Sequence, residues 1–201
     1  MAGRDPVLAG EHELDRLVAP IALAFAGDPF VRWYLPQPSQ FLDAFPRVVR
    51  LHAETVVGHG GAYRTEDFRG AALWYPPGVQ PNSAAIREIF ASAVDSETLE
   101  VLAAALAEMA RFEPDEPHLY LRSIGVDPAC QGLGYGSALL RAGVEESDRR
   151  GLPAYLEATS ADSRALYGRQ GFSVLGEVRV DEAPPVWPML RPVGSRATRA
   201  S

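Results

Sequence analysis

The chain has 201 residues, of which 47% are hydrophobic, a formal net charge of −7 and a single cysteine. Such a length and apolar content suit one domain with its own core, and the acidic balance speaks against nucleic acid as a partner. One cysteine allows no internal disulfide, no apolar run approaches the roughly 18 residues of a membrane span, and residues 1–15 lack the apolar centre of a signal peptide; a cytoplasmic protein without membrane contact is expected.

In chain order, residues 7–9 fit a short strand. Residues 11–26 carry Leu14, Leu17, Val18, Ile21 and Phe25 at helical spacing, and Pro20 predicts a kink or break. Residues 39–57 repeat this arrangement, with Ser39 as a possible cap, an apolar face at Phe41, Phe45, Val49 and Val56, and Pro46 disturbing the middle. Between the two helices, residues 28–36 read as an aromatic loop holding one acid, Asp28, and one base, Arg32. Residues 61–64 and 69–75 predict a hairpin that ends at Pro76-Pro77-Gly78. Two amphipathic helices follow, one with Ile86, Ile89, Phe90 and Val94, the next with Leu99, Leu102, Leu106 and Met109 and with Asp95 or Ser96 as its N-cap. Pro114 and Pro117 close this helical insert.

From His118 onward strand and helix alternate. The pattern predicts a strand over 119–126, a helix over 134–150 stopped by Gly151, a strand over 154–158, a short helix over 160–170 and final strands over 174–180 and 186–191. Pro188 suggests that the last of these is an edge. No repeat or linker divides residues 1–192, which are expected to form one domain, and residues 193–201 are expected to be a disordered tail.

The most informative stretch is 124–140, where a strand stops at Asp127-Pro128 and three glycines, Gly132, Gly134 and Gly136, precede a helix. Glycines let backbone N–H groups converge, and a helix start adds unpaired donors and partial positive charge, so the arrangement forms a nest for an anion such as a phosphate or pyrophosphate. A Rossmann turn would need GxGxxG directly after the strand, and a P-loop would need a lysine, whereas all 19 basic residues are arginine. A glycine turn that merely reverses the chain is the plain alternative.

The run VDPACQGLGYGSALL resembles the pyrophosphate loop of the GCN5-related N-acetyltransferases, with its signature Q/R-x-x-G-x-G/A, and YLEATSADSRALYGRQGF resembles that family's later block. The segments AFAGDPFVRWYLP, GAALWYPPG and VRVDEAPPVWPMLRP are most similar to the puromycin N-acetyltransferase-like branch. The resemblance implies an α/β (α+β) fold, with a mostly antiparallel twisted sheet of about six to seven strands flanked by helices and splayed between the fourth and fifth. It implies acetyl-CoA as cosubstrate, with residues 1–80 mainly on the acceptor side and 117–192 on the acetyl-CoA side. Carried over by position, the pyrophosphate would meet the amides of Gln131, Gly132, Leu133, Gly134, Tyr135, Gly136 and Ser137. The pantetheine arm would pair with backbone groups of Ile124 and Val126. Ser163 stands where asparagine is frequent in the family, which puts its contact with that arm in question.

Tyr167 matches the family's tyrosine that points at the coenzyme sulfur, and a phenol can protonate a leaving thiolate; packing against Phe172 is the alternative. An amine nucleophile must lose a proton, for which Glu157 is the first candidate base, ahead of Asp28 and Glu54. Asp28, Trp33, Tyr34 and Trp74, with Tyr75 beside it, are candidates for the acceptor pocket, although core packing accounts for the aromatics equally. Cys130 falls at a variable loop position and is not expected to be a nucleophile. The four histidines show no metal-ligand spacing, and no metal is expected. The expected reaction is acetyl transfer to a primary amine of a small molecule by direct attack in a ternary complex. Alternatives are a peptide or polyamine acceptor, or a non-catalytic acyl-CoA-binding module. Monomer and homodimer are both open.

Overall fold

The computed structural model describes residues 3–195; the part of the expected disordered tail from residue 196 lies outside them. Seven strands form one sheet: β1 (Pro6–Leu8), β2 (Ala62–Thr65), β3 (Gly70–Tyr75), β4 (Leu119–Val126), β5 (Ala154–Ala158), β6 (Ser173–Val174) and β7 (Trp187–Arg191). Their spatial order is β1-β2-β3-β4-β5-β7-β6. Every pairing is antiparallel except β4 with β5, which is parallel. Helices α1 (Leu14–Phe25), α2 (Pro29–Tyr34), α3 (Pro38–Val57), α4 (Ser83–Ala93) and α5 (Ser96–Ala110) come before β4, and α6 (Tyr135–Arg150) and α7 (Ala161–Arg169) come after it. The core lies in two layers. One joins the sheet to α1 through α5 and the other packs α6 and α7 against the opposite face.

Of the kink or break expected at the helix prolines, no break occurs. Both α1 and α3 run through Pro20 and Pro46 without interruption. The 28–36 segment is no loop: Asp28 Oδ1 accepts the Val31 N–H at 3.0 Å and Pro29 opens α2. This is a regular helix start, hidden because one and a half turns show no periodicity. Pro188 lies in an interior strand rather than at an edge. Its carbonyl accepts from Leu175 N–H at 2.9 Å, and a strand residue's N and C=O point to the same neighbour. The missing donor therefore faces the side where β6 has already ended, and the β5–β7 ladder stays intact. The strand expected over 174–180 shrinks to Ser173–Val174 and one isolated bridge between Val178 and Val186. Residues 193–195 are tied down, since Gly194 N–H donates to Asp148 Oδ1 at 2.8 Å.

Strand β4 carries a bulge. Leu73 pairs with Ser123 while the next residue, Trp74, pairs with Leu121, so Arg122 is an extra residue on β4. Before it, Leu119 and Leu121 face α6; after it, Ile124 and Val126 do. Gly125 then turns toward α1, where a Cβ would lie 2.5 Å from Ile21 Cα and 2.9 Å from the Pro20 carbonyl oxygen. Only glycine fits so close an approach.

Candidate active site

Strands β4 and β5 pair only through 119–121 and 154–156. Beyond those residues β4 keeps only β3 as a neighbour and β5 keeps only β7, so the two strands part and a fork opens. The Asp127 N–H donates to the Arg69 carbonyl on the β3 side at 2.8 Å. Alternation along the strand sends the backbone groups of Val126 and Ile124 the other way, into the fork. Gln131 Nε2 reaches the Val126 carbonyl at 3.4 Å from the loop above.

At the mouth of the fork, residues 131–134 are exposed and lead into α6. Gly132 and Gly134 have φ of +75° and +89°, left-handed conformations that favour glycine. The amides of Gln131 and Leu133 close weak turns, each at 3.4 Å, onto Pro128 and Cys130. Those of Gly132, Gly134, Tyr135, Gly136 and Ser137 have no backbone acceptor among the described residues, as a helix start requires of its first donors. Arg4 adds a guanidinium against the Leu133 carbonyl at 3.4 Å. The Tyr135 hydroxyl is anchored on Asp67 at 2.8 Å, so its ring braces the loop. Free amides, left-handed glycines with open space at Gly132 and a neighbouring arginine together suit the pyrophosphate of a coenzyme A thioester. Cys130, half-buried, lies beside this nest.

Deeper in the fork is a cavity of about 130 Å³ whose wall includes Ser123, Ile124, Glu157, Thr159, Tyr34 and Tyr167. Tyr167 is buried against Phe172, ring centroids 6.2 Å apart. Its hydroxyl has no partner among the described residues, yet it is not a sealed, unsatisfied atom; it opens into the cavity. Burial, with the carboxylates of Asp28 and Glu157 nearby, pushes this phenol's pKa up, so it stays protonated.

Glu157 sits in a chain of polar groups on the α1–α5 face. The Tyr120 hydroxyl donates to Glu157 Oε2 at 2.6 Å and accepts from Arg122 Nη1 at 2.9 Å, and the same guanidinium nitrogen stands 4.0 Å from the carboxylate. Arg122 Nε lies 3.4 Å from His52 Nε2. Arginine can only donate, so Nε2 accepts and His52 Nδ1 carries the proton, 2.7 Å from the Tyr75 hydroxyl. Burial, reinforced by the Arg122 charge, holds His52 neutral well below the usual imidazole range. Burial raises the Glu157 pKa; Arg122 and the hydroxyls of Tyr120 and Tyr155 pull the other way without cancelling it. The outcome is a carboxylate more basic than a solvated one, held still by its partners.

The expected residues divide by position. Tyr167, Glu157, Ile124 and Tyr34 line the cavity, and Asp28 reaches its edge through Thr159, whose hydroxyl donates to Asp28 Oδ2. Asp28 is also the cap of α2, and burial raises its carboxyl pKa. Glu54 points to solvent and pairs with Arg50. The Ser163 hydroxyl is committed to the α7 cap, bonding Ser160 backbone and side chain at 3.0–3.2 Å. Trp33 packs tilted against Phe30 and edge-on to Tyr34, outside the cavity wall. Trp74 belongs elsewhere: it is 1% exposed on the opposite face, so tight against α6 that a Cβ on Gly143 would lie 2.1 Å from its ring. Sequence reasoning missed His52, Tyr120, Arg122 and Thr159. An arginine inside the apolar run Leu119-Tyr120-Leu121-Arg122 was the available signal.

Among the described residues, no group of three or more His, Cys, Asp or Glu is placed to hold a metal ion, and no helix is long and apolar enough to cross a membrane. The model of the acetyltransferase (GNAT) family matches residues 26–172. The chain belongs to that family. Among solved structures, it is similar to a Corynebacterium glutamicum protein described as "histone acetyltransferase HPA2 and related acetyltransferase", with 26% identity, TM-score 0.72 and coverage of 98% of this chain and 100% of that one. It also resembles an agmatine N-acetyltransferase mutant in its apo form (18% identity, TM-score 0.67, 92% and 98% covered) and the Drosophila melanogaster polyamine N-acetyltransferase (16%, 0.64, 94% and 100%). These last two share the fold with this GNAT chain. Membership implies acyltransferase activity with acetyl-CoA, the family's general donor.

Proposed function

We propose that this chain moves the acetyl group of acetyl-CoA to a primary amine of a small molecule, by direct attack in a ternary complex. The observation that carries the reading is the pairing, on one 130 Å³ cavity, of a basic buried carboxylate, Glu157, with an unpartnered protonated phenol, Tyr167. The cavity lies in the same fork as the free amides of the glycine loop, so a thioester held there by its pyrophosphate can extend along Ile124 and Val126 toward both groups. Glu157 takes the proton of the incoming ammonium, directly or through one water. Tyr167 gives its proton to the sulfur as the carbon–sulfur bond breaks. The likeness of the fold to agmatine and polyamine N-acetyltransferases supports an amine acceptor, and the sequence blocks that resemble the puromycin N-acetyltransferase-like branch support a small molecule. The test is thiol release from acetyl-CoA with a panel of small primary amines, polyamines and a peptide with a free N-terminus. Turnover of the small amines is expected; release with the peptide alone would move the acceptor class, and release with none would remove the enzymatic reading in favour of a binding module.

A further inference from the structure

The 130 Å³ cavity is too small for a whole acceptor of ordinary size, since sites for drug-sized ligands run about 300–1,000 Å³. Next to it is a chamber of about 740 Å³, roofed by α4 and α5 and by the segments 76–81 and 113–118. The two spaces share His52, Ile86, Phe90, Leu102, Leu106 and Arg122 in their walls, so they adjoin across these side chains. Native cores hold few voids larger than a water molecule, and a chamber of this size is not a packing defect. Its walls are apolar where α5 faces inward and where prolines 76, 77, 81, 114 and 117 line it. Leu106, 37% exposed, lines both spaces and stands between them. The outer rim carries Glu113, Asp115 and Glu116 against Arg87, an excess of negative charge unsuited to an acidic ligand.

Resting on the acetyltransferase reading above, we propose that the α4–α5 chamber holds the body of the acceptor. The substrate class is then a primary amine carried on a bulky, largely apolar body without negative charge, whose amino end passes Leu106 into the inner cavity. Short polar amines would engage only the inner cavity and gain nothing from the chamber. Selectivity thus resides in the helical insert between β3 and β4, in particular along the face of α5 that presents Leu102, Ala103 and Leu106.

Ala103 is exposed and lines the chamber, so Ala103→Trp fills the space without disturbing the core; Ala104, also exposed and outside both walls, gives the control Ala104→Trp. Dansylcadaverine, a primary amine on an aromatic sulfonamide body, serves as the bulky probe and propylamine as the short one. For the wild type, kcat/KM should favour dansylcadaverine, and its dansyl emission should shift to the blue on binding. Ala103→Trp should lower both the dansyl affinity and the dansylcadaverine-to-propylamine ratio of kcat/KM by about tenfold or more, while Ala104→Trp changes neither. Unchanged dansyl affinity in folded Ala103→Trp, or a wild type that prefers propylamine, would overturn the chamber assignment. Thiol release with neither amine, together with dansyl binding that Ala103→Trp abolishes, would instead sink the acetyltransferase reading and leave the chamber standing as a site for such amines.

Discussion

Replacing Tyr167 by phenylalanine separates packing from chemistry at one atom. The ring is buried against Phe172 and would stay there. The hydroxyl bonds no described residue, so its removal leaves no protein group unpaired and should alter stability by no more than about 0.5 kcal/mol. Acetyl-CoA affinity should also hold, because the nest proposed for its pyrophosphate is formed by amides of the 131–137 loop. The rate should not. A positioned proton donor contributes roughly 10²–10⁴-fold, and a phenol already made hard to ionise by burial and by Asp28 and Glu157 places the expectation at the lower end. A loss on the order of 10²-fold corresponds to about 2.7 kcal/mol of transition-state stabilisation. It should fall on kcat and kcat/KM together, since the donor acts only as negative charge grows on sulfur. Thiol release under single-turnover conditions reads the step, and an acyl donor with an acidic thiol, which leaves without a proton, should recover much of the rate. Full activity of Tyr167→Phe at a demonstrated chemical limit would refute the assignment and leave the tyrosine a core residue.

Three further outcomes follow from the same geometry. Gly134→Val puts a β-branched side chain at φ +89° and should weaken acetyl-CoA binding at least tenfold by calorimetry while the thermal transition stays cooperative. Because burial raises the Glu157 pKa, its basic form is lost as pH falls at a point above the ordinary glutamate value of about 4.3; the acidic limb of the kcat/KM profile should lie there and should vanish, with most of the rate, in Glu157→Gln. Arg191, 2% exposed, grips Asp148 through both terminal nitrogens at 2.8 and 2.9 Å and pins β7 to α6; Arg191→Leu should destabilise by about 3 kcal/mol, the lower end for a broken buried pair because Asp148 is partly exposed, measured as a fall in the urea midpoint.

Where the sequence carried long periodic patterns, the elements are legible: α3, α5, α6 and the strand ending at Val126 need only spacing, caps and Gly151. The glycine loop is legible for a second reason, since left-handed backbone and free amides require particular residues at particular positions. The polar chain behind Glu157 is not, because it is assembled by side chains as far apart in sequence as His52, Arg122 and Glu157, and no local pattern encodes their meeting. Trp74 misled because an aromatic strand residue looks alike on either face, and only the packing of α6 through Gly143 decides which. The bulge misleads beyond Arg122: strict alternation from Leu119 assigns Tyr120, Leu121 and Arg122 correctly but puts Ser123 to Val126 on the wrong face.

That extra residue has a genetic corollary. Deleting Arg122 would remove the bulge and its guanidinium together, yet Ser123 would then follow Leu121 directly, and plain alternation would leave Gly125 facing α1 and Ile124 and Val126 facing α6, as they do now. Inserting one residue between Ser123 and Gly125 is different: with Ser123 held in register it would turn Gly125 to the α6 face and put a side chain against α1, where the backbone of Ile21 leaves room for none. The strand can therefore lose its extra residue and keep its faces, whereas the spacing from Ser123 to Gly125 should stay fixed through descent.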